Sequence, residues 1–313
     1  MMRNAIPVPN RSGRRNAPRR ISLLAVLYLA GLILLGLGAD DSSADGDLTS
    51  KFSNQDSIRN TRHNLTQRQA SGGPSGVNMD PYRNDYGEIC VYCHTPHAAN
   101  TNVGAPLWNR AIPNTTYTVY SSNSMSQTAS QPGAASLVCL SCHDGQQAVD
   151  AIMNMPGSGR YQATPNSTFL NDSWNNASGP DATVHLGLKQ GECLVCHSSN
   201  AGFIGAGAAD FRVAAISTDL RDDHPVGVKY PATNGDGTDW KTPGGSTTGA
   251  KFFDDDADNR MDKGEIRLYG SGADASVECG SCHDPHGVSN GTLFNATFLR
   301  KPRATVCLSC HTK

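Results

Sequence analysis

Cysteine and histidine share one repeated pattern, C-x-x-C-H, which occurs five times in the chain. All ten cysteines belong to these motifs, and a histidine follows every second cysteine. We number the motifs 1 to 5 in chain order. Their residues are Cys90, Cys93 and His94; Cys139, Cys142 and His143; Cys193, Cys196 and His197; Cys279, Cys282 and His283; and Cys307, Cys310 and His311.

This spacing is typical of covalent haem c attachment. Two thiols separated by two residues reach the two vinyl groups of one porphyrin, and the next residue then places an imidazole on the iron. Zinc sites and disulfide bridges are the alternatives. A zinc site needs about four ligands, and neither alternative explains a histidine after every second cysteine. The pattern therefore predicts five covalently bound haem c groups with iron.

The five remaining histidines match in number the second axial ligands that five iron atoms require. They are His63, His97, His185, His224 and His286. For one such histidine alone, a surface or structural role is the simpler alternative, and methionine sulfur is another possible ligand. His97 and His286 each follow a motif histidine by three residues with a proline between, so we expect each to bind a neighbouring haem.

An acidic segment at residues 254–265 has the pattern of a twelve-residue calcium loop. Carboxylates occupy positions 1, 3, 5, 9 and 12, and position 7 offers a backbone carbonyl. The predicted ligands are Asp254, Asp256, Asp258, Arg260, Asp262 and Glu265. Asn259 replaces the usual glycine at position 6, and asparagine tolerates the left-handed turn needed there. The alternative is a solvated acidic turn.

The composition argues against a large conventional core. Hydrophobic residues make up 37% and aromatic residues 6% of 313 residues, whereas glycine and proline number 32 and 17. With so little chain for each porphyrin, we expect the haems to supply most of the buried apolar surface. The predicted fold is mostly coil with short α-helices and little β-structure, a multihaem cytochrome c fold whose core is built of stacked haems.

The N-terminal segment has the features of an export signal. Six arginines precede an apolar run at residues 21–38, and small residues follow it. We expect cleavage near residue 44, and an uncleaved anchor is the alternative because such a run can just span a bilayer. Beyond it we expect no membrane span. The predicted location is extracellular or at the cell surface, with the periplasm as the second choice.

We divide the chain after the export signal into two lobes. Lobe 45–180 carries motifs 1 and 2, and lobe 181–313 carries motifs 3 to 5 and the calcium loop.

The motifs resemble those of multihaem c-type cytochromes that carry a doubled C-x-x-C-H arrangement. The resemblance is closest at residues 89–110, 136–150, 223–230 and 277–313, and it extends to the segment around His63. It looks most like the extracellular cytochromes of metal-reducing bacteria, some of which polymerise into filaments with one axial histidine donated by the adjacent subunit. In such a polymer, His63 is our candidate for the donated ligand, because it lies on an N-terminal arm that we expect to be mobile. Motif 3 is additional relative to four-haem members.

Bis-His ligation would leave no open site on iron, so the chemistry would be outer-sphere electron transfer. We therefore predict a pentahaem electron carrier, not an enzyme, that transfers electrons by hopping between closely spaced haems. The alternative is a multihaem reductase with one open iron; the C-x-x-C-K motif of multihaem nitrite reductases does not occur. The expected partners are redox partner cytochromes or extracellular electron acceptors. A homopolymer and a soluble carrier both stay open. A net charge of −2 gives nucleic-acid binding no support.

Overall fold

The structure is a computed structural model that describes residues 53–65, 86, 88–112, 114–154, 187–198 and 210–312. The predicted export signal and the predicted ligand His185 lie outside the described residues. All described residues belong to one compact unit, residues 41–313. Within this described part, none of the helices combines the length and the apolar character that crossing a lipid bilayer requires.

Helices in the described residues are short, and most of the chain is coil. The α-helices are α1 (Ala134–His143), α2 (Cys193–Cys196), α3 (Cys279–Cys282) and α4 (Arg303–Val306). Single 3-10 turns form at Ile58–Asn60, Cys90–Tyr92, Arg212–Ala214, Gly272–Asp274 and Cys307–Ser309. Every C-x-x-C-H motif begins on or within one of these helices or turns. The prediction of coil with short helices at the motifs is confirmed.

A small antiparallel sheet lies between α2 and α3 in the sequence. Its strands are β1 (Val228–Lys229), β2 (Gly245–Thr247), β3 (Ala250–Phe252), β4 (Arg267–Tyr269) and β5 (Ser276–Val277), in the order β1-β5-β4-β3-β2. From β2 to β5, each strand therefore pairs with the next strand in the chain. β1 pairs with β5 and forms the edge of the sheet opposite β2.

Both faces of the sheet carry a fully buried apolar side chain: Phe252 pairs with Arg267, and Leu268 pairs with Lys251 on the opposite face. Gly245 stands opposite Phe252 in the register, and a Cβ atom at this glycine would lie 2.1 Å from the Phe252 ring. Only glycine lets the ring lie flat across the neighbouring strand. On the other face, Leu268 belongs to an apolar cluster with Phe253 and Ile266, and Cys282 and Cys310 pack against this cluster. The sheet therefore supports the attachment residues of motifs 4 and 5.

Two further small clusters support motifs 1 and 2. Tyr86, Tyr92 and Ile152 pack together with Cys93 at their edge. Leu140 of α1 packs with Tyr117 and Leu220. The described apolar side chains thus gather in three small groups beside the motifs, as the low hydrophobic content indicates. The stacked-haem core itself stays a prediction.

Arg110 joins the segment after motif 1 to the segment after motif 2. Its side chain is fully buried, and its donors reach the carbonyls of Ser141, Ala148, Val149 and Ala151 and the Ser141 hydroxyl at 2.6–3.2 Å. A buried guanidinium needs a hydrogen-bond acceptor for each of its donors. Here four of the five acceptors are backbone carbonyls. This one side chain therefore binds three carbonyls of the loop that follows α1.

Hydrogen bonds also cross the predicted lobe boundary at residue 180. The amide of Ser217 donates to the carbonyl of His143 at 3.1 Å, and Thr118 and Asp219 form a parallel bridge. α1 packs against α3, which carries motif 4. The two-lobe division remains a prediction, and these contacts tie α1 to residues on the far side of the boundary.

Candidate haem-binding sites

One helical turn holds the three functional residues of each motif together. The motif histidine donates its backbone N–H to the carbonyl of the first motif cysteine at 2.8 Å in motif 1, 2.9 Å in motif 3, 3.1 Å in motif 4 and 3.0 Å in motif 5. This closes a single α-turn in each of these motifs. In motifs 1, 4 and 5 both thiols and the imidazole therefore leave the backbone in one region. In motif 2 the same three residues lie in the last turn of α1.

Backbone carbonyls orient the rings of three motif histidines. Nδ1 of His94 lies 2.7 Å from the carbonyl oxygen of Pro106, and Nδ1 of His143 lies 2.6 Å from that of Ala214. His283 makes the same contact with the carbonyl of Thr297. A carbonyl can only accept, so each Nδ1 carries the proton and Nε2 keeps its lone pair. That tautomer is the one a metal ligand needs.

Two motif imidazoles face a second imidazole from a distant part of the chain. The ring centroids of His94 and His286 are 6.0 Å apart, and those of His63 and His143 are also 6.0 Å apart. Imidazole nitrogens bind zinc at about 2.0–2.1 Å, and with iron bonds of similar length two axial imidazoles have centroids roughly 6 Å apart. The residues present therefore fit an iron between each pair.

His63 is held from two further sides. Its Nδ1 lies 3.0 Å from the carbonyl of Pro285, and its ring stacks on Phe298 at a centroid distance of 4.5 Å. Burial, and then the neighbouring His143, lower the pKa of His63 to about 4. The imidazole is thus neutral near pH 7, as ligation requires. His63 lies beside His143 of its own chain, which differs from its expected role as a ligand donated to an adjacent subunit.

The other predicted distal ligands are less closely placed. His224 is exposed, and its Nδ1 lies 3.1 Å from the carbonyl of Pro225. Burial is the largest cause that lowers the pKa values of His283 and His311. His224 adds a smaller electrostatic effect in the same direction on both, so it lies near the histidines of motifs 4 and 5. His97 is exposed at the surface.

The glycine after His286 lets the two ligand-bearing segments meet. Gly287 has a φ of +84°, and a Cβ atom there would lie 2.9 Å from the Thr61 methyl group and 3.1 Å from the backbone of Gln55. Both a left-handed backbone and a close approach are therefore needed at this position. The turn that presents His286 packs on the segment that presents His63.

Thiols of different motifs approach one another. The Cys139 and Cys279 thiols lie beside each other, and their interaction is the largest cause that raises the pKa of Cys139 and lowers that of Cys279. Burial and the nearby Cys142 raise the pKa of Cys93 to about 12, and burial and the nearby Cys282 raise that of Cys310 to about 12. The attachment residues therefore neighbour one another in the order motif 1, motif 2, motif 4, motif 5. Motif 3 follows a loop that passes close to residues 145–147, just after motif 2.

The alternatives of disulfides and zinc find no support in the described residues. The nine cysteine side chains described are all free of disulfide bonds, and the Cys196 side chain lies outside the described residues. In this part of the chain, groups of three or more close ligand atoms are formed by carboxylates only and include no cysteine or histidine.

Glu278 connects motif 2 to motif 4. It is 3% exposed, and its carboxylate accepts hydrogen bonds from the Gly133 amide, the Ser136 hydroxyl and the Ser276 hydroxyl. It also caps α3 through a reciprocal capping box with Ser281. Sequence reasoning missed this residue, because the usual capping box has serine or threonine before the helix and glutamate or glutamine at its third position, and here the two are reversed.

The acidic loop brings its carboxylates together. Ligand oxygens of Asp254, Asp256 and Glu265 lie within 4.8 Å of one another, as do those of Asp256, Asp258 and Asp262. Oδ1 of Asp254 is buried without a hydrogen-bond donor, which leaves it available to a cation. Asn259 has the left-handed φ of +61° expected at position 6. Arg260 donates its backbone N–H to Asp258 at 2.7 Å.

Comparison with protein families gives one match, to the doubled CXXCH motif, over residues 273–313. This range contains motifs 4 and 5 together with the turn that bears His286. Comparison with curated proteins gives no significant match. The motif indicates covalently bound haem c with iron, and the match is consistent with a multihaem c-type cytochrome whose role is electron transfer.

Proposed function

We propose that this chain is a pentahaem c-type cytochrome that transfers electrons between haems held by pairs of histidines. The observation that carries the proposal is the placement of His63 and His286. The ring centroid of each lies 6.0 Å from that of a motif histidine, which is the spacing of two ligands on one iron. In these two rings and in their partners His143 and His94, Nδ1 is hydrogen-bonded, so that Nε2 can face iron. A bound haem iron supplies a site that gains and loses one electron.

The chain's own residues explain why such sites would act as a conduit. Two imidazoles on one iron leave no position for a substrate. The contacts between thiols of motifs 1, 2, 4 and 5 place the attachment residues next to one another, which supports short distances between neighbouring cofactors. His286 follows motif 4 in the sequence and pairs with motif 1, so it would also link two haem sites mechanically.

The proposal extends to the setting in which the protein works. We propose that it is exported and exchanges electrons with partner cytochromes or extracellular acceptors, because the N-terminal segment has the features of an export signal. Assembly into a filament would need an inter-subunit ligand other than His63, since that ring already lies beside His143 of the same chain.

The test is a haem count and a carbon monoxide titration of the purified holoprotein. We expect five haems per chain by a pyridine haemochrome assay, all low-spin, and no spectral change when carbon monoxide is added to the reduced protein. A fraction near one fifth that is high-spin and binds carbon monoxide would overturn the conduit and favour a reductase with one open iron. Fewer than five haems would overturn the assignment of at least one motif.

We also propose that residues 254–265 bind Ca²⁺. The support is the convergence of Asp254, Asp256 and Glu265 around a buried Asp254 oxygen that has no donor. The loop is tied to the motif 4 and 5 region, because Lys301 pairs with Asp255 at 2.5 Å and Arg300 donates to the Lys263 carbonyl at 2.6 Å. A bound cation would therefore brace this region rather than take part in electron transfer.

Calcium titration of the holoprotein tests this second proposal. We expect Ca²⁺ to raise the melting temperature and EDTA to reverse the rise; saturation at one hundred times Kd corresponds to about 2.7 kcal/mol of added stability. Asp254→Asn should lose the response, whereas Asp236→Asn, outside the loop, should keep it. An unchanged melting curve for the wild-type protein at millimolar Ca²⁺ would show an acidic turn without a metal.

A further inference from the structure

One distal candidate differs from the others in the acceptor of its Nδ1 proton. For His63, His94, His143, His224 and His283 that acceptor is a backbone carbonyl. For His286 it is the carboxylate of Asp284, whose Oδ1 lies 3.2 Å from Nδ1. The acceptor of His286 therefore carries a negative charge, whereas the acceptors of these five other rings are neutral.

The Asp284 carboxylate is fixed in place. The residue is 5% exposed, and Oδ1 also accepts the backbone N–H of His286 at 3.0 Å. Oδ2 pairs at 3.2 Å with Arg300, which is itself 5% exposed and is anchored to the carbonyls of Gly280 and Lys263. The ion pair compensates the burial of the carboxylate, while Oδ1 stays directed at the imidazole.

The corresponding unit at motif 1 lacks this arrangement. Thr95 stands between His94 and His97 where Asp284 stands between His283 and His286. The Thr95 hydroxyl donates to the His97 carbonyl at 3.0 Å, so it offers the imidazole no anion. Two units with the same spacing of histidines and proline therefore differ in the charge beside the distal candidate.

We propose that Asp284 lowers the reduction potential of the haem that His94 and His286 would hold, by accepting the Nδ1 proton of His286 with a buried carboxylate. A carboxylate partner makes a ligating imidazole a stronger donor. A stronger donor favours the oxidised, more positive iron, and hydrogen bonding around the ligands is a known determinant of haem potential. Arg300 offsets the charge at longer range, so the effect acts through the hydrogen bond. The inference rests on the proposed axial pair.

Asp284→Asn in the holoprotein tests the inference, with a spectroelectrochemical titration as the readout. We expect one of the resolved haem components to move to higher potential while the others stay in place. Asp144→Asn is the matched control, because Asp144 also directly follows a motif histidine and is buried, but accepts from the Tyr117 hydroxyl at 2.8 Å and the Gln146 amide at 2.9 Å. An unmoved titration for Asp284→Asn, or an equal shift for Asp144→Asn, would overturn the inference.

A measurement on the wild-type protein covers the case in which Asp284→Asn does not fold. In reduced holoprotein with ¹⁵N-labelled histidine, we expect one axial Nδ1–H resonance downfield of all the others, since a carboxylate is the stronger acceptor. Equivalent positions for all axial Nδ1–H resonances would contradict this.

His286→Ala separates the inference from the proposed function. Loss of one low-spin haem in this variant, together with an unmoved titration in Asp284→Asn, would reject only the role of Asp284. Five low-spin haems in His286→Ala would reject the axial pair itself.

Discussion

At the scale of single residues, backbone carbonyls decide which imidazole nitrogen is free in His63, His94 and His143. Pro106, Ala214 and Pro285 each offer a carbonyl to Nδ1 of a candidate ligand. Pro106 and Pro285 lie in turns, and Ala214 is the last residue of the 3-10 turn Arg212–Ala214. Turns and short helix ends leave carbonyls without a partner in a longer helix or strand, and these carbonyls fix the tautomer of the candidate ligands.

The two candidate axial pairs differ in the angle between their ring planes, which predicts two kinds of EPR signal. The planes of His94 and His286 are 10° apart, and those of His63 and His143 are 79° apart. Near-parallel axial imidazoles give an ordinary rhombic low-spin ferric signal, whereas near-perpendicular ones give a signal dominated by one large g value. We expect both signals in the oxidised holoprotein.

Single variants assign these signals. His286→Ala should reduce the rhombic signal by the share of one haem and leave the large-g signal unchanged, and His63→Ala should do the reverse. Each variant serves as the control for the other. Loss of the same component in both variants would contradict the pairing seen in the structure.

The attachment residues could be predicted from the sequence, but their distal partners could not. Cys90, Cys93 and His94 act within one helical turn, so their spacing alone carries the chemistry. The pairing of His94 with His286 depends on how distant segments pack, and no local pattern records it. The sequence predicted that His286 binds a neighbouring haem; the structure brings its ring beside that of His94, and the ligation itself stays a prediction.

At the scale of elements, α1 and α3 are joined through a buried carboxylate. Glu278 accepts hydrogen bonds from the first residues of α1 and also caps α3. Ser136 in turn accepts from the Cys279 amide at 2.9 Å. The two helices that carry motifs 2 and 4 are therefore held in one relative position.

Replacing Glu278 tests this connection. Glu278→Gln replaces one acceptor oxygen by an NH₂ group, so a group that donates to Glu278 loses its acceptor. A buried donor without an acceptor costs about 1–3 kcal/mol of stability. We expect a lower melting temperature of the holoprotein, measured by loss of the Soret signal with an unchanged haem count. Glu88→Gln, at an exposed position, is the control, and equal melting of both variants would contradict the role of Glu278.

The sheet illustrates the limit of sequence reasoning at this scale. Its strands are two or three residues long, which is too short for alternation of polar and apolar side chains to be recognised. Short helices could be anticipated, because the attachment chemistry itself requires a turn. The sheet is specified by packing, as the fit of Gly245 beneath Phe252 shows.

At the scale of the whole molecule, the described apolar residues form three small clusters, and each borders a motif. A chain with 37% hydrophobic residues and such clusters buries little apolar surface without its cofactors. The hydrophobic effect scales with that surface. The folded state should therefore depend on the haems.

Expression without haem attachment tests this dependence. We expect the haem-free chain to be digested rapidly in limited proteolysis, with little ordered secondary structure by circular dichroism. The holoprotein, prepared from the same gene with haem attachment, should resist under the same conditions. Protected fragments shared by both forms would contradict a haem-dependent fold.

The contact between the Cys139 and Cys279 thiols has a consequence for biogenesis. In the folded arrangement these two sulfur atoms lie side by side. If the protein is exported as proposed, oxidation of this pair in a chain that folded before haem attachment would form a disulfide and block two attachment sites at once. We therefore expect covalent attachment to precede the docking of α1 on α3, with the polypeptide still extended when its haems are joined to it.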